Sequence, residues 1–440
     1  MFSRFNTYNR NTRHTKLKQM AKPKLALIPA AQGSELFSVL PSSGVGDFDF
    51  SRSGKATRIN SQGLIEEVDD GVSRLNYPMI DGKVVGCPHH ILEPARTNVI
   101  THSENFSQWN LIGITVTSNS VISPNGSLNA SKLVATSGTS NKVIAQAISA
   151  GTYTASVFAK KGEFQGLFIG TGAVGAFFNL NTHTFRANYT SAPTSYKIEE
   201  YGNGWYRYSI TFTISSSDNL YIGPNDNVSN TLAITGNGTN GIYTWGAQTE
   251  VGSYPTSYIP TNGESGGVTR SAETANGSGD ASTFNDSEGV LMAEIQSIAD
   301  TGNSGSIYLG DGGISNRMQI VLHSSGLIKG FITGANGGVT SVMESNVKNY
   351  DSFHKVSLTY NSTKTELWID GFKLDSDNGD FSFNNGELST LRFSVGSEIV
   401  YGNTKQLQYY NSALTDSELE QLTSWTSFTD MAQAQQYSIK

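Results

Sequence analysis

At 440 residues the chain exceeds the size at which one hydrophobic core normally suffices, so more than one domain is expected. Apolar residues make up 37%, glycine occurs 46 times, and Ser, Thr and Asn fill much of the remainder, a composition of short strands and many turns. A single cysteine, Cys87, excludes an intramolecular disulfide, and the formal net charge is -7.

The charge is unevenly spread. Residues 1–24 carry Arg4, Arg10, Arg13, Lys16, Lys18, Lys22 and Lys24 and no acid, whereas beyond residue 271 acids outnumber bases by about two to one. Residues 1–22 lack both a helical and an alternating period, so they read as a flexible basic arm that docks on an acidic protein surface, with nucleic-acid binding as a minor alternative and a plain solvated tail as the simpler reading. Arg4, Arg10, Arg13, Lys16 and Lys18 are its candidate anchoring residues. No apolar run approaches the roughly 18 to 20 residues that span a bilayer, and no hydrophobic signal core opens the chain, so membrane insertion is not expected. Cysteine usage suits assembly in a reducing cytoplasm.

Residues 23–102 read as short strands interrupted by Pro29, Pro41, Pro78, Pro88 and Pro94, a loop-rich connector. Glu93, Arg96 and Arg58 are expected to form a structural ion pair beneath the following domain. Three strings stand out in one order: Phe50–Ser53, Ala56–Arg58 and Leu92–Asn98, the last reading Leu-Glu-Pro-Ala-Arg-Thr-Asn. Together they resemble a segment that recurs in virion proteins of tailed bacteriophages and prophage fibres. The resemblance implies a virion-associated piece followed by lectin-like domains, with capsid, portal or tail proteins as partners. It also implies an oligomer, with a trimer as the natural fibre state.

Residues 103–260 show clean alternation. In the strand beginning at Trp205, residues Tyr206, Tyr208, Ile210, Phe212 and Ile214 share one face and Arg207, Ser209, Thr211 and Thr213 the other, which is expected to be wet. Tyr153, Ala155, Val157 and Ala159 alternate likewise. The opening at Phe106–Trp109 and the closing string Tyr243–Thr261 resemble carbohydrate-binding-module-like jelly rolls. Residues 261–281, rich in Gly, Ser, Glu and Asn, read as a linker.

Residues 282–428 hold two alternating strands joined around Asn361–Lys364, with Val356, Leu358 and Tyr360 on one face and Leu367 and Ile369 expected against them. Thr415 followed by Glu418 forms a capping box that opens a terminal helix anchored by Leu414, Leu419 and Leu422. Hairpin and helix resemble the closing half of laminin-G or concanavalin-A-like sandwiches. Residues 429–440 form a tail. The expected fold class is thus all-β: a basic arm, a β-rich connector and two consecutive sandwiches.

Four groups of residues bear on chemistry. The paired-carboxylate strand of laminarinase-type glycosidases, Glu-x-Asp-x-x-Glu, is absent, and Glu66, Glu67, Asp69 and Asp70 read as a solvated turn, so no enzyme is expected. Cys87, His89 and His90 lack the second spaced pair that a zinc site needs. Asp375 and Asp377, with Asp380, offer oxygens in the manner of a Ca²⁺ loop, against the simpler reading as a polar turn. Trp109, Trp205, Trp245, Trp368 and Trp425 are the candidate sugar platforms, although each lies where core packing is the commoner fate. Host-surface glycans are therefore an expected partner without an assigned binding residue.

Overall fold

The computed structural model describes residues 21–32, 35–298, 303–335, 339–349, 352–396 and 398–425. The basic arm residues Arg4, Arg10, Arg13, Lys16 and Lys18 lie outside these, as does the C-terminal tail. The protein is nearly all β, built from antiparallel sheets stacked as two sandwiches. Among the described residues no helix is long and apolar enough to cross a membrane.

One sandwich is built mainly from residues 103–260, with Arg96–Asn98 and Val268–Arg270 added to one of its sheets. One of its sheets orders strands Ile114–Val121, Ala130–Ala135, Gly241–Val251, Gly151–Lys160, Trp205–Ile214 and Ser195–Tyr201. The facing sheet runs Asn110–Ile112, Val143–Ile148, Asp218–Asn225, Gly166–Gly170, Val174–Asn179 and Thr184–Thr190. Register puts Tyr153 opposite Phe212, Ala155 opposite Ile210 and Val157 opposite Tyr208, so the alternating apolar positions of both strands enter one core.

The supposedly wet face of Trp205–Ile214 is not wet. Arg207, Ser209 and Thr211 are buried and only Thr213 is exposed. The segment 253–257 folds over this face: Arg207 Nη1 donates to Thr256 O at 2.7 Å, and Thr211 Oγ1 donates to Ser253 O at 3.2 Å. Polar side chains survive burial there because each has a partner.

The other sandwich is assembled from both ends of the chain. Its larger sheet places Leu25–Gln32 against Gly402–Tyr410, with Leu25 opposite Tyr409 and Leu27 opposite Leu407. That sheet continues through Gly289–Ser297, His354–Tyr360, Lys364–Ile369 and Phe372–Asn378. The facing sheet contains Val339–Lys348, Leu327–Ala335, Arg317–Leu322, Gly305–Gly310 and Thr390–Arg392. Leu25, Leu27, Phe48, Phe50 and Leu92 share one core with Leu291, Val356, Leu358 and Leu407.

Residues 23–102 are therefore not a free connector. Their apolar strands complete a sheet whose remaining strands lie between residues 274 and 410, because Leu25, Leu27 and Phe48 cannot bury their side chains alone. The presumed linker 261–281 likewise contains two paired strands, Val268–Arg270 against Arg96–Asn98 and Thr274–Asn276 against Phe48–Ser51. Its low hydrophobicity reflects a polar interior, since Arg270 and Glu273 are fully buried.

Local expectations near the C-terminus hold. Val356 pairs with Ile369 and Leu358 with Leu367. The helix Asp416–Ser424 is capped by Thr415, whose side chain accepts from Glu418 N while Glu418 reaches back to Thr415 N at 2.8 Å. Leu419 and Leu422 are buried beneath it.

Candidate binding clefts at the junction of the two sandwiches

The Leu-Glu-Pro-Ala-Arg-Thr-Asn string runs between the sandwiches. Its first residue ends the strand His89–Leu92, which pairs with Gly402–Tyr410, and its last three form the strand that pairs with Gly241–Val251. Pro94 has no N–H to give a ladder, so the chain leaves one sheet there and enters the other. Asn98 is fully buried and satisfied: Nδ2 donates to Ala247 O and Ile259 O, and Oδ1 accepts from Ile100 N and Thr249 N.

Glu93 turns into a buried ion cluster. Its Oε2 lies 2.8 Å from Arg74 Nη2 and 2.7 Å from Arg270 Nη1, and Oε1 accepts from Ser257 N at 2.8 Å. Glu273 takes Arg52 Nη1 at 3.0 Å and Arg74 Nε at 2.8 Å, with a second, close contact from Arg74 Nη2. The Ser257 hydroxyl accepts from Arg74 and Arg270 and donates to Glu93 at 2.5 Å. These five charged side chains are at most 3% exposed.

Burial alone would raise the Glu93 carboxyl, yet Arg270, Arg74 and the Ser257 donors hold it down at about 2. Burial also works against the charge on Arg74, but Glu273 and Glu93 keep its pKa above the ordinary value. Every Glu93 oxygen is committed to these donors, which leaves it unsuited to act as base or nucleophile.

The expected pairing of Glu93, Arg96 and Arg58 is redistributed. Arg58 binds Glu66 at 2.6 Å across the hairpin Ala56–Ile59 and Ile65–Val68, and Arg96 Nε faces Glu250 Oε2 at 3.7 Å. Glu66 and Glu67 thus sit on a strand rather than in a turn. Sequence alone marked Arg52 only through its string and gave no sign of Arg74, Arg270 or Glu273, because charge in a polar segment looks like solvated surface.

Two clefts of about 450 Å³ each flank the cluster. The first lies between Arg96, Gly252, Ser253 and Tyr254 on one sandwich and Ser304, Ser324 and Tyr401 on the other. The second is lined by Asn76, His89, Lys197, Glu199, Tyr201 and Arg207, among others. There Lys197 and Arg207 hold Glu199 below the usual carboxylate range although burial opposes its charge. Both clefts present hydrogen-bonding groups from both sandwiches, an arrangement suited to a polar, hydroxyl-rich ligand.

The other sequence candidates do not converge. Cys87 is exposed while His89 and His90, adjacent on a strand, are buried; His90 packs between Phe50 and Phe393. Burial, together with Lys405, pushes His89 down to about 4, and burial with Arg74 and His89 nearby pushes His90 to about 3. Asp375 and Asp377 lie on the strand Phe372–Asn378, not in a loop with Asp380. Asp375 accepts from Glu344 N and Ser376 N, and Asp380 from Ser382. Among the described residues no three His, Cys, Asp or Glu side chains cluster as metal ligands. Trp109, Trp205, Trp245 and Trp368 are at most 5% exposed, and Trp425 caps the terminal helix, so none is an open platform.

No protein-family model matches the chain, and no curated protein matches it. Among solved structures, similarity extends to a leech intramolecular trans-sialidase, at 19% identity over 33% of this chain and 24% of that one, with a TM-score of 0.28. A Ruminococcus gnavus IT-sialidase CBM40 aligns at 16% identity over 32% of this chain and 86% of its own, with a TM-score of 0.28. A SAP-like pentraxin from Limulus polyphemus aligns at 11% identity over 32% and 71%, with a TM-score of 0.27. The chain spans about a quarter of the leech protein. Likenesses this weak carry no weight for what the clefts hold.

Proposed function

We propose that this protein is a non-enzymatic structural component of a tailed-phage virion, anchored through its N-terminal region and presenting lectin-like sandwiches to host-surface glycans. One observation carries the reading. The three strings that resemble phage virion proteins, separated in sequence, converge on a single junction. Phe50–Ser53 supplies Arg52, Ala56–Arg58 supplies the Thr57 carbonyl that accepts from Arg74 at 2.9 Å, and Leu92–Asn98 supplies Glu93.

A junction held by buried, paired charges fixes the relative orientation of two sandwiches, which suits a projecting virion part better than a pair of loosely tethered modules. Partners in this reading are capsid, portal or tail proteins, with the chain itself oligomeric, as a trimer. Deleting residues 1–22 is expected to abolish incorporation into particles while leaving the sandwiches folded. Particles that still carry the truncated chain would overturn the anchoring role. Attachment is tested with purified protein on host cells and host polysaccharide; absence of binding to both would leave a decoration role without a lectin. Incubation with host capsule is expected to leave its chain length unchanged.

A further inference from the structure

We infer that the cleft beside Arg96 is a binding site for a saccharide bearing a carboxylate, such as a uronic acid residue. The inference rests on the glycan-attachment reading and specifies its ligand.

Arg96 is held for presentation rather than used up internally. Its guanidinium carbon lies 4.9 Å from the centre of the Tyr254 ring. Gly252, with φ +142°, leaves room beside it, since a Cβ there would stand 3.0 to 3.2 Å from Nη2, Nε and Cζ. The nearest carboxylate, Glu250, is 3.7 Å from Nε and already accepts from Gln248 Nε2, Thr256 N and Thr256 Oγ1. Nε is buried on the Glu250 side and so is closed to a ligand, while Nη1 donates to the adjacent Ala95 carbonyl at 3.1 Å and no hydrogen bond among the described residues engages Nη2. The two terminal nitrogens of a planar guanidinium match a planar carboxylate through two parallel bonds.

The surrounding charge agrees. Behind the cleft stand Arg52, Arg74, Arg96 and Arg270 against Glu93, Glu250 and Glu273, four positive to three negative, an excess of one; each side chain is at most 17% exposed. With Glu398 on the solvent side of the lining the tally is four against four, which disfavours a phosphate dianion more than a monoanion. Glu398 is exposed to solvent and accepts from Ser306 Oγ at 3.0 Å. The remaining wall offers the Ser253, Ser304 and Ser324 hydroxyls and the phenols of Tyr254 and Tyr401. Burial raises both phenols, so they stay protonated as donors to ring hydroxyls. A volume of about 450 Å³ admits a small saccharide.

The test is calorimetric titration of the full chain with trigalacturonate, triglucuronate and trimannuronate, and with the same sugars after reduction of their carboxyls. At least one acidic sugar is expected to bind, with its reduced form at least tenfold weaker. Arg96→Gln and Arg96→Lys are each expected to weaken it at least tenfold. Gly252→Ala and Tyr401→Phe, read alongside melting temperatures, carry the test should the Arg96 variants unfold; each is expected to weaken binding at least threefold. Equal affinity for acidic and reduced sugars, no binding of any acidic sugar, or unchanged affinity in folded Arg96 variants would overturn the inference. If host polysaccharide still binds the Arg96 variants at full strength, this site fails while the attachment reading stands. If the unaltered chain binds neither host polysaccharide nor acidic sugar, both fail.

Discussion

Arg74 and Glu273, 199 positions apart in the chain, meet face to face as a two-point ion pair with both side chains fully buried. Removing one partner strands a charge without water. Glu273→Leu is therefore expected to destabilise the protein by about 3 to 5 kcal/mol, read as the shift in denaturant midpoint. A loss below about 1 kcal/mol would mean that the cluster is not the clamp between the sandwiches.

The same cluster sets a response to acid. Glu93 has a folded pKa of about 2 against an ordinary 4.5. Its contribution is fully present above pH 4.5 and is lost as pH falls toward 2, because the unfolded chain takes up the proton first. Urea unfolding between pH 5 and pH 2 should show stability falling steadily. Glu93→Gln, though less stable at pH 7, should show a shallower fall.

His89 and His90 act at higher pH. Both are held neutral, at about 4 and about 3, against an ordinary 6.5. Between pH 6.5 and these values the unfolded chain binds protons that the folded chain refuses, so stability drops on acidification by up to about 1.4 kcal/mol per pH unit for each histidine. His90→Phe, placed between Phe50 and Phe393, should roughly halve that slope between pH 6 and pH 4.5. An unchanged slope would rule out its role.

The sandwich built from both chain ends makes a truncation test. A fragment of residues 282–428 lacks the strands Leu25–Gln32 and Phe48–Ser51 and is expected to show no cooperative unfolding transition. Leu25→Ala in the full chain should cost about 2 to 5 kcal/mol, as for other fully buried leucines. A fragment that folds on its own would show that the opening strands only decorate the sheet.

At the other end, Thr415→Ala removes the side-chain acceptor of the capping box and should cost about 1 kcal/mol. Thr415→Ser should restore most of it. Circular dichroism is dominated by strands here, so thermal midpoints are the better readout.

What was legible in the sequence was local. The capping box at Thr415, the pairing of Val356 with Ile369 and the alternation of Tyr153 through Ala159 rest on spacings of two to four residues, or on one hairpin turn, and all appear in the structure. The partnership of Leu25 with Tyr409 leaves no such trace, since nothing in either strand names its distant neighbour. Arg270 and Glu273 misled for a different reason: in a polar stretch, ion pairs satisfied inside the protein have the same composition as a solvated linker. Arg96 was singled out through its motif, but the cleft that gives it a task is formed only when two sandwiches meet.

The pairing of Leu25–Gln32 with Gly402–Tyr410 also sets an order of events on the ribosome. The sandwich centred on residues 103–260 has all its strands once Val268–Arg270 has emerged, whereas the opening strand must wait for its partner. At roughly 5 to 20 residues per second the delay is on the order of 20 to 80 seconds. Throughout that interval an apolar strand edge stands open in every nascent chain, and neighbouring chains on one message offer one another the same missing strand.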